Sequence, residues 1–381
     1  RMFPIASGVS PERGLYTAIV AGFLVSALGS SRFQVGGPAG AFIVLVAATV
    51  AKLGVEGLLL SVLVSGLLLT LVGALRLGSL IRHIPHPVTV GFTAGIAVTI
   101  LASQLKDLAG LSLAGPEPGP VVPKLMAIGH ALPTVNPAAL GLGVAVAAAI
   151  FLIKRLRPNW PGMLLAVAAG AVAAWALHLP VSTIGSRFGG IPHSLPWPHP
   201  PTFSWRLLVQ VLPAALSFTL LGGVESLLSA TVADRLTGRK HRSNMELVAQ
   251  GLANVASAFF GGIAVTGTIA RTATNIRAGA RSPVAGMLHA AFLLVFMLVA
   301  APLASYVPLT ALAGVLVAVC WNMAEKAEFA RLLRDWRSGA VLLATFGLTL
   351  ARDLTTGIVA GCALAAIFWA AQRWRAGSAR P

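Results

Sequence analysis

The chain has 381 residues, of which 56% are hydrophobic and only 10% charged, and its mean hydropathy is +0.84. Soluble domains carry about 25% charged residues, so this chain cannot coat a water-exposed exterior and reads as an integral membrane protein. A net charge of +17 would suggest nucleic acid in a soluble protein. In a membrane protein Lys and Arg gather on cytoplasmic loops, and no nucleic-acid partner is expected.

Residues 1–8 read as the tail of a further helix and lack the charged n-region and cleavage site of a signal peptide. Apolar spans follow near 14–29, 56–76, 87–105, 136–153, 161–178, 206–232, 243–261, 283–301, 303–322, 338–351 and 353–372. Two pieces, near 38–51 and 267–279, are too short to cross a hydrocarbon core of ~30 Å at ~1.5 Å per residue. Of the two long connections, 106–135 predicts a surface helix, and 179–205 is Pro-rich with Trp197 and Trp205 as interface anchors. The histidines follow no ligand spacing, so no metal is assigned, and His289, inside a span, is expected to pack. Cys320 and Cys362 lie in apolar runs and read as buried thiols.

The basic clusters fall between alternate spans: Arg32, Arg76 with Arg82, Lys154-Arg155-Arg157, Arg235 with Arg239-Lys240-Arg242, Arg277 with Arg281, Lys326 to Arg337, and Arg373-Arg375. The alternation works only if both short pieces count as membrane elements, about fourteen in all, and it places the C-terminus in the cytoplasm.

The short pieces carry the functional signal. In Val35-Gly36-Gly37-Pro38-Ala39 an extended run reaches glycine and a helix is expected to begin at Pro38, where a missing N–H costs nothing. In Val265-Thr266-Gly267-Thr268-Ile269-Ala270-Arg271 a second extended run leads into a second short helix. Paired broken helices in corresponding places are the sequence pointer to an inverted-repeat transporter. Opposed helix N-termini, with free N–H groups and positive dipole ends, make an anion site. Arg271 sits about one turn into the second short helix. An intramembrane Arg costs at least ~2.5 kcal/mol on insertion scales, so it needs a partner or a polar cavity; it is read as the cation that draws the substrate, with a structural pair to an acid or to helix carbonyls as the alternative. Glu225 interrupts another apolar span and is read as a proton carrier or a partner for Arg271 or a cation, with Ser229 one helical turn on; a packed, protonated or capped Glu is the alternative.

These segments resemble the SulP family, the sulfate permease-related secondary anion carriers. Gly14-Leu15-Tyr16-Thr17-Ala18 and Gly29-Ser30-Ser31-Arg32 running into Gly37-Pro38 look like its N-terminal signature. Phe218-Thr219, Glu225-Ser226-Leu227, Asn244-Met245-Glu246-Leu247, Gly251-Leu252-Ala253-Asn254, Phe259-Phe260-Gly261-Gly262 and Arg271-Thr272-Ala273-Thr274-Asn275 resemble its second half. The resemblance implies an all-α polytopic membrane protein, a seven-plus-seven inverted repeat whose third and tenth elements are half-helices preceded by short strands. It implies a core near 1–83 and 206–301 and a gate near 84–205 and 302–376. By matching position the substrate site would comprise Phe3, Gly37, Pro38, Ala39, Thr268, Ile269, Ala270 and Arg271, with Glu225 and Ser229 for the coupling ion.

No cofactor is implied beyond a coupling proton or sodium ion. The expected partners are a small anion, the bilayer of a bacterial inner membrane, and a second copy in a homodimer to which the family's cytoplasmic STAS domain contributes. That domain is not in the chain, which ends at Pro381 after the last span. Ala39 stands where many animal relatives carry Phe, and Ala270 replaces the hydroxyl of some relatives. The wider pocket expected from this suits a dicarboxylate such as fumarate, carried by proton-coupled symport through an elevator-like movement. Bicarbonate or sulfate symport and an anion channel or exchanger are the alternatives. An enzyme is not expected, since the sequence has no Gly-x-Ser-x-Gly elbow, deep Asp pair or His-Glu-x-x-His helix, and no P-loop supports ATP-driven transport.

Overall fold

Apolar runs bounded by Pro, Gly and Asn become helices almost throughout. The computed structural model describes residues 9–78, 85–115, 117–118, 121–158, 160–190, 192–352 and 354–378. By internal contacts the chain divides into two compact units, Arg1–His83 with Ile184–Tyr306 and Ile84–Thr183 with Val307–Pro381.

The first unit opens with α1, Pro11–Tyr16, which continues through a π-helical turn at Thr17–Ala21 into Gly22–Leu28. Strand β1 is Gly36–Gly37, and a 3₁₀ turn at Gly40–Phe42 leads into α2, Ile43–Ala74. Gly54, at φ +68° and ψ −174°, breaks α2 and separates the expected short piece from the full span behind it. Then come α7 (Ile184–Phe188), α8 (Trp205–Thr237), α9 (Ser243–Phe259), strand β2 (Thr266–Gly267), α10 (Ile269–Arg277) and α11 (Val284–Ser305). The main packing in this unit is α9 against α2. A Cβ on Gly66 would lie 2.7 Å from the Gly251 carbonyl oxygen, and one on Gly251 would lie 2.6 Å from that of Gly66. The two backbones therefore touch, as small residues allow between membrane helices.

The second unit holds α3 (His86–Ala109), α4 (Val121–Ala131), α5 (Pro137–Leu156), α6 (Gly162–Ala176), α12 (Leu309–Met323), α13 (Lys326–Leu332), α14 (Trp336–Ala351) and α15 (Leu354–Ser378). The Thr310 hydroxyl lies 2.6 Å from the Ala139 carbonyl and 3.2 Å from that of Leu108, tying α12 to α5 and α3. The surface helix expected within 106–135 is α4. Its buried Lys124 anchors it through the Glu117 carboxylate at 2.8 Å and the Ser103 hydroxyl. Asn136 caps α5 by accepting from the Ala138 and Ala139 N–H groups at 3.0 and 3.2 Å.

Among the described residues, six helices are long and apolar enough to cross a membrane: α2, α3, α5, α8, α11 and the stretch Leu309–Leu332. The break expected between 301 and 303 falls later, because α11 runs through Pro302 to Ser305 and the chain turns only where Pro308 is extended (φ −68°, ψ 140°). His289 is exposed on α11 rather than packed. Neighbouring helices and local adjustments let membrane helices tolerate an interior proline.

Candidate functional site: two helix starts on one strand pair

The two short strands form an antiparallel pair with Gly36 opposite Gly267 and Gly37 opposite Thr266. Each strand runs directly into a helix start. Because the strands are antiparallel, the helices leave in opposite senses and their N-termini flank the pair. The Thr268 N–H extends the pairing to the Val35 carbonyl at 3.4 Å.

The first helix start lies later than expected. Ala39, extended at φ −109° and ψ 150°, is the N-cap, and Pro38 precedes it rather than occupying the first turn. The reason is a long-range contact: the Pro38 carbonyl accepts from Arg271, which holds the chain extended for one more residue. Neither Ala39 nor Thr268, the N-cap of α10, makes a side-chain capping bond, and the buried Thr268 hydroxyl has no partner. Both helix starts thus keep their free N–H groups and positive dipole ends.

Arg271 reaches across from α10 to the other junction. Its Nη2 donates to the Pro38 carbonyl at 3.1 Å and its Nη1 to that of Gly36 at 3.4 Å. A Cβ on Gly37 would collide with this guanidinium, so glycine at 37 lets the arginine lie against the strand. Glu225 on α8 is an electrostatic neighbour of Arg271. Its buried Oε2 has no hydrogen-bond partner. Ser229 donates to the Thr272 hydroxyl at 3.1 Å, and that oxygen also accepts the Val35 N–H at 3.3 Å.

The structure therefore brings Gly37, Pro38, Ala39, Thr268 and Arg271 to one strand pair, with Glu225 and Ser229 on the helix beside it. Ile269 and Ala270 are exposed at the start of α10, whereas Ala39 is buried. Phe3 lies outside the described residues.

Sequence reasoning gave no hydrogen-bond partner to several polar groups that hold the junctions. The Gln34 amide donates to the Ser226 carbonyl and hydroxyl at 3.2 and 3.1 Å, and a Cβ on Gly267 would strike it. Asn275 donates to the Phe33 carbonyl at 2.9 Å, and Thr266 to that of Gly222 at 3.1 Å. A polar residue in or beside an apolar span was the available signal, because such a group must find a partner.

Residues 3–345 match the sulfate permease family. The chain is 43% identical over 370 residues to YvdB of Bacillus subtilis (strain 168), whose name marks it as a candidate sulfate transporter; the match covers 96% of this chain and 69% of YvdB. It is 31% identical to the bicarbonate transporter BicA of Picosynechococcus sp. (strain ATCC 27264 / PCC 7002 / PR-6), over 94% of this chain and 64% of that protein. The transmembrane domain of a cyanobacterial bicarbonate transporter BicA superposes with a TM-score of 0.82 at 28% identity, covering 96% of this chain and 92% of that one. Murine Slc26a9 in its inward-facing state shares the fold alone, with a TM-score of 0.88 at 18% identity over 97% of this chain and 65% of that one. The fold is the all-α polytopic seven-plus-seven arrangement, and the relatives are transporters, not enzymes. The chain belongs to the sulfate permease family of anion transporters, as a multi-pass membrane protein of that fold.

Proposed function

We propose that the chain is the transport unit of a secondary anion carrier that binds a small oxoanion at the two helix starts. The observation that carries this reading is the pairing itself. Two uncapped N-termini meet on one strand pair, and Arg271 is the cation beside them. Free N–H groups and two dipole ends favour negative charge, and no enzymatic machinery is needed for that task. Sulfate and bicarbonate head the substrate list, because relatives are named for them. A dicarboxylate such as fumarate is the second reading, and the small exposed Ala270 at the start of α10 favours it.

Glu225 is the coupling group in this proposal. A carboxylate with a buried, unpartnered oxygen beside an arginine is a place for a proton or a sodium ion. The carrier works by an elevator-like cycle in which the first unit is the core and the second the gate. It sits in a bacterial inner membrane with a cytoplasmic C-terminus, in a homodimer assembled with a STAS domain.

The test is uptake of labelled sulfate, bicarbonate and fumarate into proteoliposomes under separate proton and sodium gradients. Saturable uptake of one anion, accelerated by one of the gradients, is the expected result. Currents through single open pores would replace the carrier with a channel.

A further inference from the structure

The strand pair at the site is only two residues long on each side. Even a full two-stranded hairpin is marginal alone, so the register Gly36↔Gly267 must be fixed from outside the pair. One helix is built to do this. On α9 the residues Glu246, Gln250, Asn254 and Ser257 follow a spacing of four, four and three, which puts them on one side of the helix. All four are buried, each at 2% exposure or less.

Three of the four hold chain that leads into the strands. The Asn254 side chain acts like a second strand: its Oδ1 accepts the Val265 N–H at 3.0 Å, and its Nδ2 donates to the Val265 carbonyl at 3.0 Å and to that of Gln250 at 2.9 Å. Val265 immediately precedes β2. The Ser257 hydroxyl donates to the Ile263 carbonyl at 2.6 Å, two residues further back. At the other end, Glu246 Oε2 accepts from the Ser30 and Ser31 N–H groups at 2.9 and 3.0 Å and from the Ser30 hydroxyl at 3.0 Å. Those serines open the segment that ends in β1. Glu246 and Asn254 are eight residues apart, about 12 Å along the helix axis. Both strands are thus suspended from the same rigid rod.

We propose that Asn254, supported by Ser257 and Glu246, is a positioning residue for transport. The buried side of α9 is a template that sets the two helix starts relative to each other, and the anion senses α9 only through them. This rests on the reading of those helix starts as the substrate site. The fourth residue supplies an internal control. Gln250 is as buried as its neighbours and sits one turn from each of Glu246 and Asn254, yet neither atom of its amide has a hydrogen-bond partner. It lies on the template but holds neither segment.

The experiment measures KM and maximal rate for sulfate and bicarbonate uptake in proteoliposomes, together with melting temperature in detergent. Asn254→Asp keeps the size but turns a donor into an acceptor facing two carbonyls, and KM should rise about tenfold or more, since displacements of about 1 Å cost that much or more. Glu246→Met should raise KM similarly. Glu246→Gln keeps a carbonyl oxygen for the three donors, so its KM should return to within about threefold of the parent. Gln250→Met should leave KM within about twofold, whatever it does to melting temperature. If Asn254→Asp does not fold, Ser257→Ala, which removes one tie, should raise KM about threefold. Gln250→Met raising KM as much as Asn254→Asp would overturn the proposal, because burial alone would then explain the effect. An unchanged KM in folded Asn254→Asp would do the same. Arg271→Ala, run alongside, separates the two levels: if it leaves KM unchanged, the substrate-site reading fails, and if it raises KM while Asn254→Asp does not, only the template fails.

Discussion

The two junctions of the site do the same geometric job with different chemistry. From Val35 to Ala39 the chain offers backbone alone, and Gly36 and Pro38 turn their carbonyls toward the opposite helix. From Val265 to Arg271 it offers side chains: Thr266 tied to α8, an unpartnered Thr268 hydroxyl, and the guanidinium that spans the pair. One junction is shaped to be approached and the other does the approaching. The comparison assigns shape to the first junction and charge to the second, so substitutions in the two should fail differently.

The largest effect should come from the second. Arg271→Ala removes the cation beside both helix starts and two hydrogen bonds to carbonyls, each worth about 1.5–3 kcal/mol when one partner is charged. Uptake at low anion concentration should fall by about a hundredfold or more. Arg271→Lys should recover only part of this, because an ammonium is a point charge and cannot present two nitrogens in a fixed plane to two carbonyls. Uptake within a factor of two of the parent in Arg271→Ala would remove the charge from the second junction and end the comparison.

The next effect tests the first junction. Gly37→Ala places a methyl group where the guanidinium lies. The obstacle is the far end of a flexible side chain, so the arginine should swing away and the protein should still fold. Overpacking of this kind costs about 1–3 kcal/mol, which predicts an uptake loss of about ten- to a hundredfold. The double variant Gly37→Ala with Arg271→Ala should be no worse than Arg271→Ala alone, since the collision is then gone. An additive loss would mean that Gly37 matters for some reason other than the arginine it faces.

Much of this was legible in the sequence. The two short apolar pieces, the glycines before them and the lone Arg271 stand out because an apolar background makes each interruption costly. The strand pairing was not legible: two residues per strand leave no alternating pattern to read, and the register comes from tertiary contacts. The helix start at Gly40 rather than Pro38 was missed for a related reason, since Pro38 satisfies the local rule for a first turn and only the distant Arg271 claims its carbonyl. Asn254 and Glu246 were visible as letters in an ordered motif, but their partners are 11 and more than 200 residues away, beyond any local spacing rule.

A third prediction concerns α8, where Glu225 faces the charged junction. Glu225→Gln keeps size and hydrogen-bonding capacity but cannot release or take up a proton. Uptake should continue at a reduced rate and lose its acceleration by the ion gradient. The check is the ratio of uptake with and without the gradient, which should fall to about one. A ratio equal to that of the parent would move coupling elsewhere in the chain.

The smallest effect separates Ser229 from Glu225 on the same helix. One turn apart, both were expected to serve the coupling ion, yet the Ser229 hydroxyl is directed to Thr272, whose oxygen also accepts the Val35 N–H at the first junction. In this geometry Ser229 is a bracket between α8, α10 and the run into β1. Ser229→Ala removes one neutral hydrogen bond, worth about 0.5–1.5 kcal/mol, and leaves the Val35–Thr272 bond in place. The expected outcome is a slightly lower melting temperature, a KM within about threefold of the parent, and an undiminished response to the gradient. If Ser229→Ala abolishes that response as Glu225→Gln does, the hydroxyl leaves Thr272 during the cycle to bind the ion, and α8 then serves the ion with both residues rather than with the carboxylate alone.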